Sequence, residues 1–290
     1  MLAKRWLVFA IVVYVLQFAI GQILDYSFLK SEIYKSAVIN SQVEKLTNSD
    51  ILIFGGSNGL VSFDNRILEE RTHKEVYNLS EDDTNLKLHL LQLKLILNRG
   101  IKPERIILVI GSMEEGLSRN FLRYLPYLSH DEFVNNDFQK FSKLEFQAFK
   151  IFPIFKWAKY NNDLLYPTLY SMFLNKNYHH RFDTNGDYEY PVVSAETMEN
   201  GINQKVELNY LDSNLLEFKN LCLQNGIALS IVNTPFLNKE ITWNEDRGDV
   251  MNFSSVFGSN TNLFYDAAHI NKNGKLLFSN IFADSLIKVM

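Results

Sequence analysis

The run from Trp6 to Leu24 constrains this chain before anything else does. It is almost wholly apolar, with Gln17 and Gln22 its strongly polar interruptions. At about 1.5 Å per residue, a helix of that length crosses a hydrocarbon core of about 30 Å. In lipid, a lone segment satisfies its own backbone polar groups only as a helix. Lys4 and Arg5 precede the run and Asp25 follows it. The positive-inside tendency then predicts a cytoplasmic N-terminus, with everything after Asp25 on the far side. A cleaved signal peptide is the alternative, but its apolar core would be about 7–15 residues and would end in a small-x-small site. Ala19-Ile-Gly21 lies inside the run and fits that poorly, and Cys222, the only cysteine, is too distant to be a lipid attachment point. Residues 1–25 therefore read as an uncleaved signal anchor, with a buried core helix as the other possibility. Residues 26–49 read as a stalk or amphipathic lead-in, because Phe28, Ile33, Val38 and Val43 have only loose helical spacing.

Beyond the stalk, residues 50–290 alternate strand and helix. Ile51–Phe54 is a short apolar run closed by glycines, the mark of a strand inside a sheet. A helix is expected from an Asp64 cap to Arg71, a short strand at Val76-Tyr77, and a helix over 83–98 with Leu86, Leu90, Leu93 and Leu97 on one face. Gly100 stops that helix, and Ile106–Ile110 is the third strand. Later come a helix over 204–225 stopped by Gly226, a fourth strand at 227–232, an irregular stretch over 236–262 and a closing helix over 274–289. Such βαβ order predicts an α/β fold, a parallel sheet covered on both faces, with its site at the carboxyl ends of the strands.

Two stretches carry chemistry. Gly55-Gly-Ser57-Asn-Gly59 holds a serine out at the end of the first strand, and its glycines allow close approach of other groups. Near the other end, Tyr265-Asp266-Ala-Ala-His269-Ile-Asn271 supplies a carboxylate and an imidazole three residues apart, so one tight loop can direct both to the same side. A serine hydroxyl needs a base to become a nucleophile, and the base needs a third group to fix its tautomer. Gly55-x-Ser57-x-Gly59 also matches the nucleophile elbow of α/β-hydrolases, but that fold places its elbow after several strands and its acid well before its histidine. A plain tight turn and a structural Asp–His hydrogen bond remain the bland reading of the same residues.

Taken together, the two stretches resemble the SGNH (GDSL-like) hydrolase superfamily, in which the serine follows the first strand and an Asp-x-x-His precedes the last helix. The resemblance covers Asp50 to the C-terminus in order and spacing. It implies a flavodoxin-like three-layer sandwich and a triad of Ser57, His269 and Asp266. It also implies an oxyanion hole built from the Ser57 N–H, a donor after the second strand and an asparagine after the third. The second donor falls on Ser80 rather than a glycine. Gly111-Ser-Met-Glu114 lacks the Gly-x-Asn-Asp of the third, and Asn58 and Asn78 are the possible substitutes, although each has a turn role of its own. With the anchor, this pattern resembles the membrane-anchored branch that serves cell-surface polysaccharide O-acylation and lipoteichoic acid D-alanyl transfer. The implied function is an extracytoplasmic serine esterase or O-acyltransferase acting on a cell-surface or exported glycan, beside a multi-span acyl-donating membrane protein, with no metal or cofactor. A non-catalytic glycan-binding or scaffold module is the second reading, prompted by the missing asparagine.

The remaining features bound these readings. The 290 residues are 47% hydrophobic and 21% charged with a net charge of −4, enough for one large domain with an insertion and without a global electrostatic case for nucleic acid. Residues 117–200 break the alternation and are rich in aromatics; they read as an insertion that packs its own core, with a lid, a substrate cleft or a membrane-facing surface as functional roles. His179, His180, Asp183 and Asp187 lack the spacing of an EF-hand, and Asn185-Gly186 reads as a tight turn. Asn78-Leu-Ser80 and Asn252-Phe-Ser254 are sequons, relevant only in a eukaryotic secretory route. There is no P-loop, dinucleotide fingerprint or internal repeat.

Overall fold

A computed structural model describes residues 2–113, 116, 118–192, 204–245 and 248–290. Part of the turn after the third strand, at Glu114 and Glu115, and the end of the insertion, over 193–200, therefore lie outside the described residues. The chain forms two compact units: residues 1–42 with 119–180, and residues 43–118 with 181–290.

The second unit is α/β. Its strands are β1 (Ile51–Phe54), β2 (Val76–Asn78), β3 (Arg105–Val109), β4 (Gln204–Leu208), β5 (Ala228–Asn233), β6 (Lys239–Trp243) and β7 (Val250–Asn252). Five make a central sheet in the order β2-β1-β3-β5-β7, and every pairing is parallel. β4 and β6 pair separately, also in parallel. Because β1 is covered on both faces, all four of its residues are buried, which is why it reads as a continuous apolar run.

The helices of this unit are α3 (Val43–Asn48), α4 (Ser57–Ser62), α5 (Asn65–Thr72), α6 (Leu86–Asn98), α11 (Ser213–Gln224) and α12 (Lys272–Ile287). Leu68 of α5 and Phe278, Phe282 and Leu286 of α12 share a core with Ile51, Ile53, Ile107 and Val232 of the sheet. Phe54, one residue on from Ile53, meets Phe218 of α11 edge to face at 5.9 Å. Asp64 caps α5 as expected, accepting from the Arg66 N–H, and Asn271 caps α12, accepting from those of Asn273 and Gly274.

Two expectations need correction here. Gln204–Leu208, expected as the start of a helix, is strand β4, and the helix α11 begins only after an Asp212 cap. The stretch 236–262, expected to be irregular, contains β6 and β7.

The first unit begins with α1 (Leu2–Leu29), which is long and apolar enough to cross a membrane or serve as a signal anchor. Its outer part is exposed, whereas Leu24, Asp25, Phe28 and Leu29 are buried. The expected stalk is instead folded: α2 (Lys35–Ser41) buries Ala37, Val38 and Ile39 in this unit, and α3 belongs to the other. The insertion supplies a 3₁₀ segment (Arg119–Ser129), α7 (Glu132–Phe141), α8 (Lys143–Ile151), α9 (Ile154–Lys159) and α10 (Tyr166–Phe173). Some of its aromatics form a core, in which Phe121, Phe138 and Phe149 stack in series and Trp157 is fully buried, while others such as Phe141 and Phe173 are exposed.

Asp25, one residue beyond the apolar run, pairs with Lys156 at 2.6 Å and accepts from Trp157 Nε1 at 3.1 Å, all three being buried. A buried charge is tolerated only when it is paired and hydrogen-bonded, so this cluster holds the inner end of α1 to α9.

Candidate active site

Ser57 is the first residue of α4, directly past the carboxyl end of β1, with Gly56 as the N-cap. At that position its N–H has no partner within the helix and faces the turn. The turn is tight because other groups press on it. A Cβ at Gly59 would stand 2.5 Å from Ser80 Oγ, and one at Gly55 would stand 2.8 Å from Val109 Cβ. Only glycine lets β1, β2 and β3 end this close together around the serine.

The Asp266–His269 loop arrives just before α12. It is closed by an antiparallel bridge between Phe264 and Ile270 and by the Tyr265 N–H donating to His269 O at 2.8 Å. The Leu237 N–H donates to Ala267 O at 3.1 Å, and the Asn58 amide donates to Ala268 O. The loop is thus tied to the residue after Ser57 and to the segment after β5.

His269 Nε2 lies 2.7 Å from Ser57 Oγ, and His269 Nδ1 lies 2.9 Å from each oxygen of Asp266. Asp266 Oδ1 also accepts the backbone N–H groups of Ala268 and His269, both at 2.8 Å. Burial opposes ionisation of this carboxyl, but the His269 contact and the two backbone donors outweigh it and hold Asp266 below the usual carboxylate range. With Asp266 ionised, the Nδ1 proton is retained and Nε2 is left as acceptor for the serine proton. All three residues are half-buried, so solvent and solutes reach them.

The expected oxyanion donors fare differently. The Ser80 N–H donates to Asn78 Oδ1 at 2.9 Å, and Ser80 is fully buried. The Asn78 amide donates to Gly59 O at 2.9 Å, and Asn78 is fully buried too. Both bonds brace the turn beneath Ser57, and the foreseen Ser80 N–H is taken by Asn78. Asn58 is half-buried and spends one amide proton on Ala268 O, so its second proton remains, along with the Ser57 N–H.

The sequence motifs gave no sign of the wall beside His269. The ring of Tyr190 stacks on Tyr265 at 4.2 Å and 7°, and its centroid is 5.5 Å from that of His269. Arg181 donates to the Tyr190 hydroxyl at 2.9 Å and pairs with Asp82 at 2.7 Å. Burial raises the Tyr190 hydroxyl above its ordinary range, with Arg181 working against that shift.

His179 and Asp183, whose spacing already argued against a metal loop, have other roles. His179 contacts Glu32 at 2.7 Å in the first unit, and Asp183 accepts the N–H groups of Asn185 and Asp187 in a turn of the second. Among the described residues, no group of three or more His, Cys, Asp or Glu is arranged to hold a metal.

Fold and site together bring a serine, an imidazole and a carboxylate into hydrogen-bond contact at the strand ends of a parallel α/β sheet. No protein-family model matches the chain, and no curated protein does either.

Proposed function

We propose that this protein is a membrane-tethered serine acyl-ester enzyme of the SGNH (GDSL-like) type, an O-acyltransferase or esterase. The observation that carries the reading is the 2.7 Å contact from Ser57 Oγ to His269 Nε2, with Asp266 on the opposite ring nitrogen. The Ser57 hydroxyl attacks an acyl carbonyl and passes its proton to Nε2. The carbonyl oxygen takes up the negative charge, facing the Ser57 N–H and the second Asn58 amide proton. Collapse breaks the ester bond, and His269 returns the proton to the leaving alcohol. Water or a glycan hydroxyl then gives its proton to Nε2 and attacks the acyl-serine, which restores the Ser57 hydroxyl. Asp266 holds the tautomer and stabilises the imidazolium.

Setting β4 and β6 aside, the sheet order β2-β1-β3-β5-β7 follows the 2-1-3-4-5 pattern of flavodoxin-like sheets, which supports the three-layer sandwich that this superfamily uses. The Tyr190–Tyr265 face beside His269 suits a sugar ring and favours a glycan acceptor. Lys4 and Arg5 before the apolar run favour a cytoplasmic N-terminus and an extracytoplasmic site, beside a multi-span acyl-donating membrane protein. One observation favours a non-catalytic glycan-binding or scaffold module instead: the foreseen oxyanion donor at Ser80 has its N–H taken by Asn78, and the Asn78 amide is buried on Gly59 O.

The test is turnover of an aryl acetate by the full chain in nanodiscs, with and without a polysaccharide acceptor. Ser57-dependent phenol release identifies an enzyme, and acyl groups recovered on the glycan identify a transferase. A folded protein that neither turns over the ester nor acylates the glycan would favour the scaffold.

A further inference from the structure

The first unit raises a question that the site does not answer: what covers the outer faces of the insertion helices. α9 and α10 both pack against α1. The contacts run as a ladder along α1. Phe28 meets Trp157 at 6.3 Å, Asp25 meets Lys156, and a Cβ at Gly21 would stand 2.6 Å from Pro153 Cβ. Further out, Gln17 donates to the carbonyl of Ile151 at 3.3 Å, and Tyr14 meets Phe152 edge to face at 5.9 Å. From Leu24, the inner end of the apolar run, to Tyr14 is about 15 Å of helix, half of a hydrocarbon core of about 30 Å. By the same measure Gly21 and Gln17 lie about 5 and 10 Å from Leu24, so the corner between α8 and α9 sits within the inner half of the span.

We propose that α8, α9 and α10 are embedded in the same bilayer that α1 crosses, giving the protein a second, monotopic membrane contact. The proposal rests on α1 spanning the membrane and is independent of the catalytic reading. Three observations carry it. The first is the depth of the Ile151–Pro153 corner on α1. The second is what these helices expose: Leu144 is 83% accessible, Phe173 74% and Leu174 76%, with Phe155 at 50%. Leu144 and Ile151 lie two helical turns apart on α8, Phe155 is exposed on α9 beyond the break, and Tyr166, Tyr170 and Phe173 follow helical spacing along α10, which presents an apolar stripe.

The third is how the corner handles its polar backbone. The Phe152 N–H donates to Ala148 O at 2.8 Å, Pro153 has no N–H, and the Ile151 carbonyl takes the Gln17 amide. A helix break at membrane depth persists only where its polar groups are satisfied in this way. Gln17, an oddity in an apolar run, thereby acquires a reason. Lys140, Lys143 and Lys176 flank the exposed apolar residues, where they reach anionic headgroups, and Lys150 lies over the Phe146 ring at 5.2 Å.

The experiment places single cysteines at Leu144, Phe173, Phe9 and Leu223 of the full chain. Each is labelled with an NBD fluorophore and reconstituted in nanodiscs of zwitterionic and anionic lipid, with or without doxyl-labelled lipid. The native Cys222 stays silent, because it is buried and its thiol is pushed up to about 12. All four positions are exposed, and a melting curve confirms folding of each labelled protein. The expected result is strong quenching and a blue-shifted emission at Leu144→Cys and Phe173→Cys, comparable to Phe9→Cys in α1, with Leu223→Cys on α11 unaffected. Quenching by aqueous iodide but not by doxyl lipid at Leu144→Cys and Phe173→Cys would overturn the proposal. So would shielding from both quenchers, which would mean that another protein or a second copy covers the face. Loss of lipid quenching at Phe9→Cys would overturn the anchor itself and the proposal with it, while the Ser57 chemistry would stand or fall separately.

Discussion

Replacing Asp266 by Asn separates the two tasks of that carboxylate. Its Oδ1 accepts two backbone N–H groups at 2.8 Å, which shape the loop, and both oxygens face His269 Nδ1 at 2.9 Å. An asparagine keeps a carbonyl oxygen for the backbone donors but turns an amide N–H toward Nδ1. The imidazole then carries its proton on Nε2 and offers Ser57 a donor where it needs an acceptor. In the best-studied triads, a wrong tautomer of this kind costs about 10⁴-fold in rate. Here the Asp266 side chain is 47% accessible, so water screens the carboxylate and can partly replace it beside the imidazolium. The expected loss is therefore about 10²–10³-fold, or about 3–4 kcal/mol in activation free energy. Ser57→Ala and His269→Ala should each cost nearly the whole contribution of the relay, on the order of 10⁶-fold. The assay pairs the aryl acetate rate with thermal melting. Asp266→Asn should melt like the native protein, because its loop bonds survive. A variant as inactive as Ser57→Ala with unchanged melting would refute the graded roles, and so would one with undiminished activity.

Lys156→Met should destabilise the detergent-solubilised chain by about 3–5 kcal/mol by leaving the Asp25 carboxyl buried without its cation, whereas Asp25→Leu with Lys156→Met should lose far less. Equal melting of the single and double variants would show that the pair does not hold α1. His89 is buried in α6 and burial pushes its imidazole down to about 4. The unfolded chain takes up that proton first, so stability is full above about pH 6.5 and falls as pH drops toward 4, by on the order of 3 kcal/mol. Melting followed from pH 7 to 4 should flatten in His89→Leu, and an unchanged slope would remove His89 as the cause.

Where local chemistry decides structure, the sequence was enough to read it. Ile51–Phe54 is apolar between Asp50 and the glycine turn, and β1 has those bounds. Asp64 and Asn271 cap helices because a short side chain before an apolar run has few better uses. The Ser57–His269–Asp266 geometry followed from two short motifs that only a sheet edge could bring together. Where tertiary pairing decides, the sequence misled. Gln204–Leu208 continues the leucine spacing of α11, yet it pairs with β6, a partner 35 residues downstream in register at Gln204 and Lys239. The donors at Ser80 and Asn78 were placed correctly at the end of β2, but which way an N–H points depends on neighbours such as Asn78 Oδ1. Arg181 and Tyr190 carry no motif, and only the fold brings them beside His269. The supposed stalk looked weakly patterned because its partners lie in the insertion: the Tyr127 hydroxyl donates to Ser36 O at 2.6 Å.

The central claim is that Ser57 is a nucleophile activated by His269. Its most direct measurement is covalent labelling of the full chain by a fluorophosphonate, with the modified residue located by peptide mass spectrometry. The account predicts one adduct, on Ser57, absent in Ser57→Ala and strongly slowed in His269→Ala, with both variants melting like the native protein. A folded native chain that takes no label at Ser57, or that labels equally fast without His269, would contradict it.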